Sequence, residues 1–392
     1  MDPTVVAAWI AAGVSLLTLA GTLAAQYYGY RASSRDAEKT AAEQRLQLDR
    51  TLAEQRDQLD RTLSEQNQQL DRTLAEQRTR TLNERFATAA EQLGSDKPAV
   101  RLAGVYAMTG LADDWQENRQ TCVDVLCAYL RMPYEPEPPE AAPEAQRLAF
   151  LASREVRHTV IRVITAHLKK DAATPWPGLH FDFGGVVFDG GDFRDAEFSS
   201  GTVNFDGAQF SAATTSFRRA EFSGAGVDFR GAEFSGGTVD FSHAHFSRGK
   251  VDFRGARFSG GTILFESRFS GGTVFFYDAQ FSGAAVNFRF ALFSGAGVDF
   301  IGAGFTGGAV SFSNARFSGG TILFKRAEFS GTRVDFAQAE FSGATVDFDG
   351  VKVAGGTVDF SGASDWSVPP AFPWTGSPPP GMKLPRKAVS GG

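Results

Sequence analysis

Two cysteines, Cys122 and Cys127, are all that 392 residues hold. Two cannot make a disulfide framework, and a separation of five fits neither a zinc-ligand pair nor a redox pair. Buried reduced thiols are the expected state. A basic excess is missing as well. Lys and Arg number 39 against 45 Asp and Glu, a net of −6, so nucleic acid is not expected as a partner. His158 and His167 have no companion at metal-ligand spacing and read as ordinary helix residues. Ser235, Ser259 and Ser282 recur at turns, with no His at a repeating distance to activate them. There is no phosphate loop and no metal motif. No catalytic, cofactor-binding or metal-ligating residue is therefore assigned, and no enzyme activity or cofactor is expected. What the chain does have is concentrated. Between Phe181 and Trp366 lie 33 of its 36 Phe and 32 of its 43 Gly.

Charge is absent from Thr4 to Ala25. At about 1.5 Å per residue this stretch spans about 33 Å, enough to cross a hydrocarbon core of about 30 Å. Trp9 lies near one end, and Tyr27, Tyr28 and Tyr30 lie at the other, where aromatic rings favour the interface. A cleaved signal peptide wants a positive start and a shorter apolar core. The start here is Met-Asp-Pro-Thr. Residues 4–30 thus read as a single-pass anchor in the cell membrane, with lipid as its partner. Arg31, Arg35, Lys39, Arg45 and Arg50 follow the span and no Lys or Arg precedes it. The positive-inside rule then puts the rest of the chain, repeats included, in the cytoplasm.

Pro and Gly are absent from 31–92. Residues 31–84 are rich in Ala, Glu, Gln, Arg and Leu and predict one long helix. Leu48, Leu59 and Leu70 begin Leu-Asp-Arg-Thr units eleven apart, and Leu52, Leu63 and Leu74 follow each by four. A coiled coil on this stripe would twist gently right-handed. The stripe is thin. It suits either a solvated single helix laced by ion pairs or a parallel homo-oligomeric stalk.

Residues 85–176 predict a small all-α module. One face is Val100, Ala103, Ala107 and Leu111, widened by Leu102 and Tyr106. Val123, Leu126 and Leu130 mark a second, and Val156, Val160 and Ile164 a third. A Pro/Glu-rich stretch, 132–146, predicts an exposed loop between the last two.

The strongest signal is self-similarity. From Phe234 the Phe recur at 241, 246, 253, 258 and 265, with gaps alternating between seven and five. The unit is twelve residues, and one copy is a residue short, between Phe265 and Phe269. Polarity alternates inside the unit: Val239 and Phe241 share one side, Thr238 and Asp240 the other. That period means short strands, and the Gly pairs between them mark turns. Such strands are stable only when stacked, with Phe on Phe inside; burying each ring is worth about 1.5–3 kcal/mol. His243 and His245, two apart, would share the outer face of a strand. Asp240, Asp252 and Asp299 occupy equivalent places and would line up as a ladder of carboxylates. Calcium-binding repeats carry denser Gly and Asp, so no calcium is assigned.

Val-Asp-Phe-Arg-Gly (227–231) and Ala-Glu-Phe-Ser-Gly (232–236) are five-residue units centred on Phe. Residues 179–363 resemble the pentapeptide-repeat family, in a Phe-centred variant with an extra Gly-Thr-like pair after every second unit. The resemblance implies a right-handed, four-sided β-solenoid and no enzyme activity. Phe183, Phe188, Phe193 and Phe198 are evenly spaced by five, which favours a square first turn. Later coils would then hold about 24 residues, giving about eight coils over about 37 Å. The alternative is a flat, two-sided coil of about 12 residues and twice the length. Glu91–Gly94 and Val100–Ala107 resemble the helical module that precedes such repeats in many bacterial membrane-anchored proteins. The Pro-rich tail, 364–392, predicts no packed core, with Trp366, Phe372 and Trp374 available to fold over the last coil.

The expected function is a membrane-tethered scaffold offering a rigid solenoid to a protein partner. Two alternatives stand beside it. The resemblance admits a nucleic-acid mimic that inhibits a DNA enzyme. Residues 178–366 carry 15 Lys and Arg against 21 Asp and Glu, however, and Arg254, Arg257, Lys325, Arg326 and Arg333 interrupt any acidic stripe. An exported adhesive or ice-binding rod would want a flat row of paired Thr. Thr262, Thr273 and Thr321 occur singly, with Lys250 or Gly226 in the same place elsewhere.

Overall fold

The computed structural model describes residues 2–135 and 137–385. The chain divides into two compact units, Met1–Thr81 and Leu82–Gly392.

Helix α1 (Pro3–Leu93) supplies the whole of the first unit. Its start is long and apolar enough to cross a membrane, and none of that stretch is buried within the protein. The few polar side chains there are satisfied locally: Ser15 Oγ donates to the Ala11 carbonyl at 2.8 Å and Thr18 Oγ1 to the Val14 carbonyl at 3.0 Å. Beyond it the eleven-residue units repeat in detail. Thr51, Thr62 and Thr73 each donate to the carbonyl four residues back at 2.9 Å. Leu48, Leu52, Leu59, Leu63, Leu70 and Leu74 are all exposed.

In the second unit, the end of α1 packs with α2 (Pro98–Asp114), α3 (Arg119–Arg131) and α4 (Glu144–Leu168). The buried face of α2 is Val105, Met108, Leu111 and Ala112. It is rotated from the expected one, since Ala103, Tyr106 and Ala107 are exposed. Gly104 sets the rotation. A Cβ there would lie 2.7 Å from the Leu93 backbone nitrogen, so α2 meets the end of α1 backbone to backbone. Apolar side chains all round α2 hid this from periodicity.

From His180 to Asp359 the chain winds into a β-solenoid of about eight turns. Strands, most of them of two or three residues, pair in parallel with the strand one coil on: Thr202 with Gly226, Gly226 with Lys250, Glu233 with Arg257. Partners 24 residues apart exclude the 12-residue, two-sided coil. Four columns of strands result, one for each side of a square. Each column carries its own stack of Phe rings. In one, Phe229, Phe253, Phe276, Phe300 and Phe324 follow each other at 4.7–4.9 Å, within 5° of parallel. Ala or Val two residues before most of the Phe fills the remaining interior, with Ile263, Ile322, Thr215 and Ser267 in the same place elsewhere.

The corners explain the recurrent polar residues. After Phe241 the chain makes a four-residue turn, closed by the Ala244 N–H on the Phe241 carbonyl at 3.0 Å. Its third residue, His243, has φ of +61°, the left-handed torsion of a type II turn. Where an Asp stands just before such a Phe, it caps the turn. Asp240, Asp252 and Asp299 accept the N–H of Ser242, Arg254 and Ile301 at 2.8, 3.2 and 2.8 Å.

These acids form no ladder. Asp240 pairs with Ser216 and Leu264 on one face, and Asp252 and Asp299 lie on another with Phe275 between them. Twelve residues is half a coil, which moves a residue to the opposite side. Up to Pro385 the tail is likewise more ordered than its composition predicts, and its last residues, 386–392, lie outside those described. Met382 is buried, and Met382–Lys383 pairs with Val358–Asp359. Trp366 lies edge-on to Phe341 at 5.2 Å, and Phe372 stacks on Phe348 at 5.6 Å.

Candidate functional site

Three places in the second unit collect polar side chains. The first joins the helical module to the first coil. Asp189 is buried at a solenoid corner. It accepts the Tyr134 hydroxyl at 2.6 Å, lies 3.0 Å from His158 Nε2, and pairs with Arg154 at 3.3 Å. The Arg157 guanidinium lies 4.1 Å over the Tyr134 ring and donates to the Leu130 and Val187 carbonyls. Nearby, His167 stacks on Trp176 at 4.0 Å, and both reach Asp113. These contacts give His158 and His167 structural partners that spacing along the chain could not reveal. Tyr134 is likewise pinned, although it sits in the stretch expected to be an exposed loop.

Burial pushes the Asp189 carboxyl up, but bonds from His158 and Tyr134 and the nearby Arg154 charge outweigh it and hold it below its ordinary value. Its contribution to stability is therefore complete above about pH 4 and is lost as pH falls through the lowered folded value. Urea unfolding at pH 7 and pH 2.5 should show a smaller acid loss in Asp189→Asn than in the parent. Equal losses would remove Asp189 from the docking contact.

The second place is the outward surface of the coils. Many of its charges pair with one another, mostly one coil apart: Glu233–Arg257 at 2.8 Å, Glu328–Lys352 at 2.6 Å, Arg316–Glu340 at 2.8 Å. Asp252, whose side chain is 4 % exposed, takes both Lys250 and Arg254. Such pairs add little stability each, about 0–1 kcal/mol, but they leave no unbroken stripe of carboxylates. Three Thr do align on one face, Thr214–Thr238–Thr262, before Ala285 ends the row.

The third place is the short unit. Between Phe265 and Phe269 the residue equivalent to His243 is missing. The corner closes instead in three residues, with the Ser267 N–H on the Phe265 carbonyl at 2.7 Å. Ser267 takes the interior place of an Ala, and its buried hydroxyl donates to the Phe241 carbonyl at 2.6 Å. The missing residue leaves a groove of about 520 Å³ in the solenoid surface. Glu221, His245, Arg268 and Arg316 line it along one face, with His243 at one lip and Phe290 at the other. His243 sits in the turn and His245 in a strand, so the two do not share a strand face as their spacing had suggested. His245 lies 3.2 Å from Glu221 and 2.7 Å from Ser270 Oγ. The groove was foreshadowed only by the shortened Phe spacing.

Cys122 and Cys127 are buried and unpaired with each other. Burial pushes their thiols up to about 11 and about 12, which keeps them protonated and unreactive. Among the described residues, no group of three His, Cys, Asp or Glu side chains is placed to hold a metal ion.

A protein-family model described as Pentapeptide repeats (9 copies) matches residues 217–268 and 307–352. The first matched stretch ends at Arg268, inside the short unit. No curated protein and no solved structure matches the chain. Five-residue units centred on Phe, one to each side of a square coil, agree with that match: the chain carries pentapeptide repeats, and they are wound into a β-solenoid.

Proposed function

We propose that this chain is a membrane-tethered protein-interaction module that holds its solenoid in the cytoplasm. One combination carries the reading: an uncharged N-terminal helical stretch, with Arg31, Arg35 and Lys39 at the flank that follows it, in the same chain as a pentapeptide-repeat solenoid. The solenoid is a rigid display surface, because each coil is fixed by ladders and ring stacks on both sides. Basic and acidic side chains are interspersed over it and many pair with each other, which favours recognition of a protein over mimicry of a polyanion. The six exposed Leu of the long helix, repeating every eleven residues, offer a seam for a second copy, and tethering raises the local concentration that such pairing needs.

The tether is tested by alkaline carbonate extraction of membranes. The full chain should stay in the pellet, and a chain lacking residues 4–25 should move to the supernatant. Release of the full chain would end the anchor reading. Protease added to intact cells should leave the repeats whole. Their digestion would place them outside and overturn the cytoplasmic assignment.

A further inference from the structure

We propose that the groove at the short unit is the solenoid's recognition point, and that it takes an acidic peptide segment carrying an apolar side chain. The inference rests on the interaction-module reading and names the place and the chemistry. Phe290 is the first observation. It occupies the third position of a corner turn with φ of +57°, a torsion that a bulky L residue adopts only at a cost. Equivalent corners use polar residues such as Asp195, Arg219 and Asn314. Phe290 buries little in return, since it is 62 % exposed. A strained, solvated aromatic is one of the places where function outweighs stability.

The second observation is where Phe290 sits. It forms the lip of the one corner shortened by a residue, beside Leu292, so the apolar surface borders a concavity rather than a flat side. The third is charge. Glu221 is engaged by His245 and Glu266 by Asn287 at 3.4 Å, and Arg316 is held by Glu340. The Arg268 guanidinium, which also lines the groove, has no side-chain partner among the described residues. Arg289 lies against the Phe290 ring at 5.4 Å. An aromatic anchor flanked by arginines is the composition of an interface hot spot. The complementary partner brings a carboxylate to Arg268 and an apolar side chain to Phe290 and Leu292.

The test uses the full chain in detergent micelles over an array of short peptides. Each peptide has one Leu, Phe or Trp flanked by Asp or Glu, with lysine-flanked copies as controls. The acidic set should retain the chain more strongly. Phe290→Asn should cut that retention at least about tenfold without lowering the melting temperature, because Asn tolerates the left-handed torsion. Arg268→Glu should move the preference to the lysine-flanked set. Equal retention of both sets, or unchanged binding by Phe290→Asn, would overturn the proposal. Cross-linking in intact membranes separates the two readings. A partner captured equally by the parent and by Phe290→Asn removes the groove and keeps the module. A parent chain that captures no partner removes the module itself.

Discussion

A chain carrying Phe253→Asp and Phe258→Asp should lose most of its sheet-type circular dichroism signal, and its melting temperature should fall by more than about 12 °C. Both rings are fully buried. Phe253 stacks between Phe229 and Phe276 at 4.7 and 4.9 Å, and Phe258 between Phe234 and Phe281 at 4.7 Å on each side. Removing one such ring costs about 3–5 kcal/mol even when only a void is left. A carboxylate costs more, because nothing inside the coil can hydrogen-bond it. Two together reach the whole stability of an ordinary domain, about 5–15 kcal/mol. The damage also spreads unevenly. Each coil touches only its neighbours, so the lesion cuts the stack near its middle. Phe253→Leu, which keeps the site apolar and loses only part of the ring's volume, should cost less, roughly 1–3 kcal/mol. A double variant with the parent spectrum and melting point would mean that these rings are not the interior.

Gly261→Val should be a strongly damaging single change at a corner, at roughly 2–5 kcal/mol. Gly261 has φ of +69°, and a Cβ there would sit 2.5 Å from the Gly237 carbonyl oxygen and 2.7 Å from the Gly236 carbonyl carbon. Both obstacles are backbone of the preceding coil, so no rotamer change relieves them. The β-branched side chain adds the worst case for a left-handed torsion. The expected result is a lower urea midpoint, with a much smaller shift for Gly255→Asn. Gly255 also has a positive φ, but a Cβ there meets nothing within 4 Å. Equal shifts would show that torsion alone, and not the close stacking of coils, fixes glycine at these corners.

The Phe and Gly patterns were legible because they answer to local needs, a ring inside every side and a bare backbone at alternate corners. The length of the coil was legible only through the first turn, where the even spacing of Phe183, Phe188, Phe193 and Phe198 favoured the square coil of about 24 residues that the pairing shows. Gaps of seven and five suit a two-sided ribbon and a square one equally, and only the pairing of Glu233 with Arg257, rather than with His245, decides between them. The same ambiguity led Asp240 and Asp252 to be read as neighbours in a ladder when they stand on different faces. His243 was read as strand because its own torsion is invisible in sequence, whereas the turn it serves spans Phe241 to Ala244. The contacts of the site were hidden for a different reason. His158 meets Asp189, 31 positions away, and Phe290 borders a space created by a residue absent from the preceding coil. Local pattern reports what a residue needs from its own segment and says nothing of what another segment brings to it.

The regular step between paired strands has a consequence for how the chain is made. Among the described residues no ladder reaches further back than one turn, and the first turn rests against helices that precede it in the chain through Asp189, Tyr134 and His158. A newly synthesised segment of about two dozen residues therefore meets a finished platform as soon as it leaves the ribosome. Winding can keep pace with translation from the amino end onward, with the helical module as its seed and no wait for distant sequence.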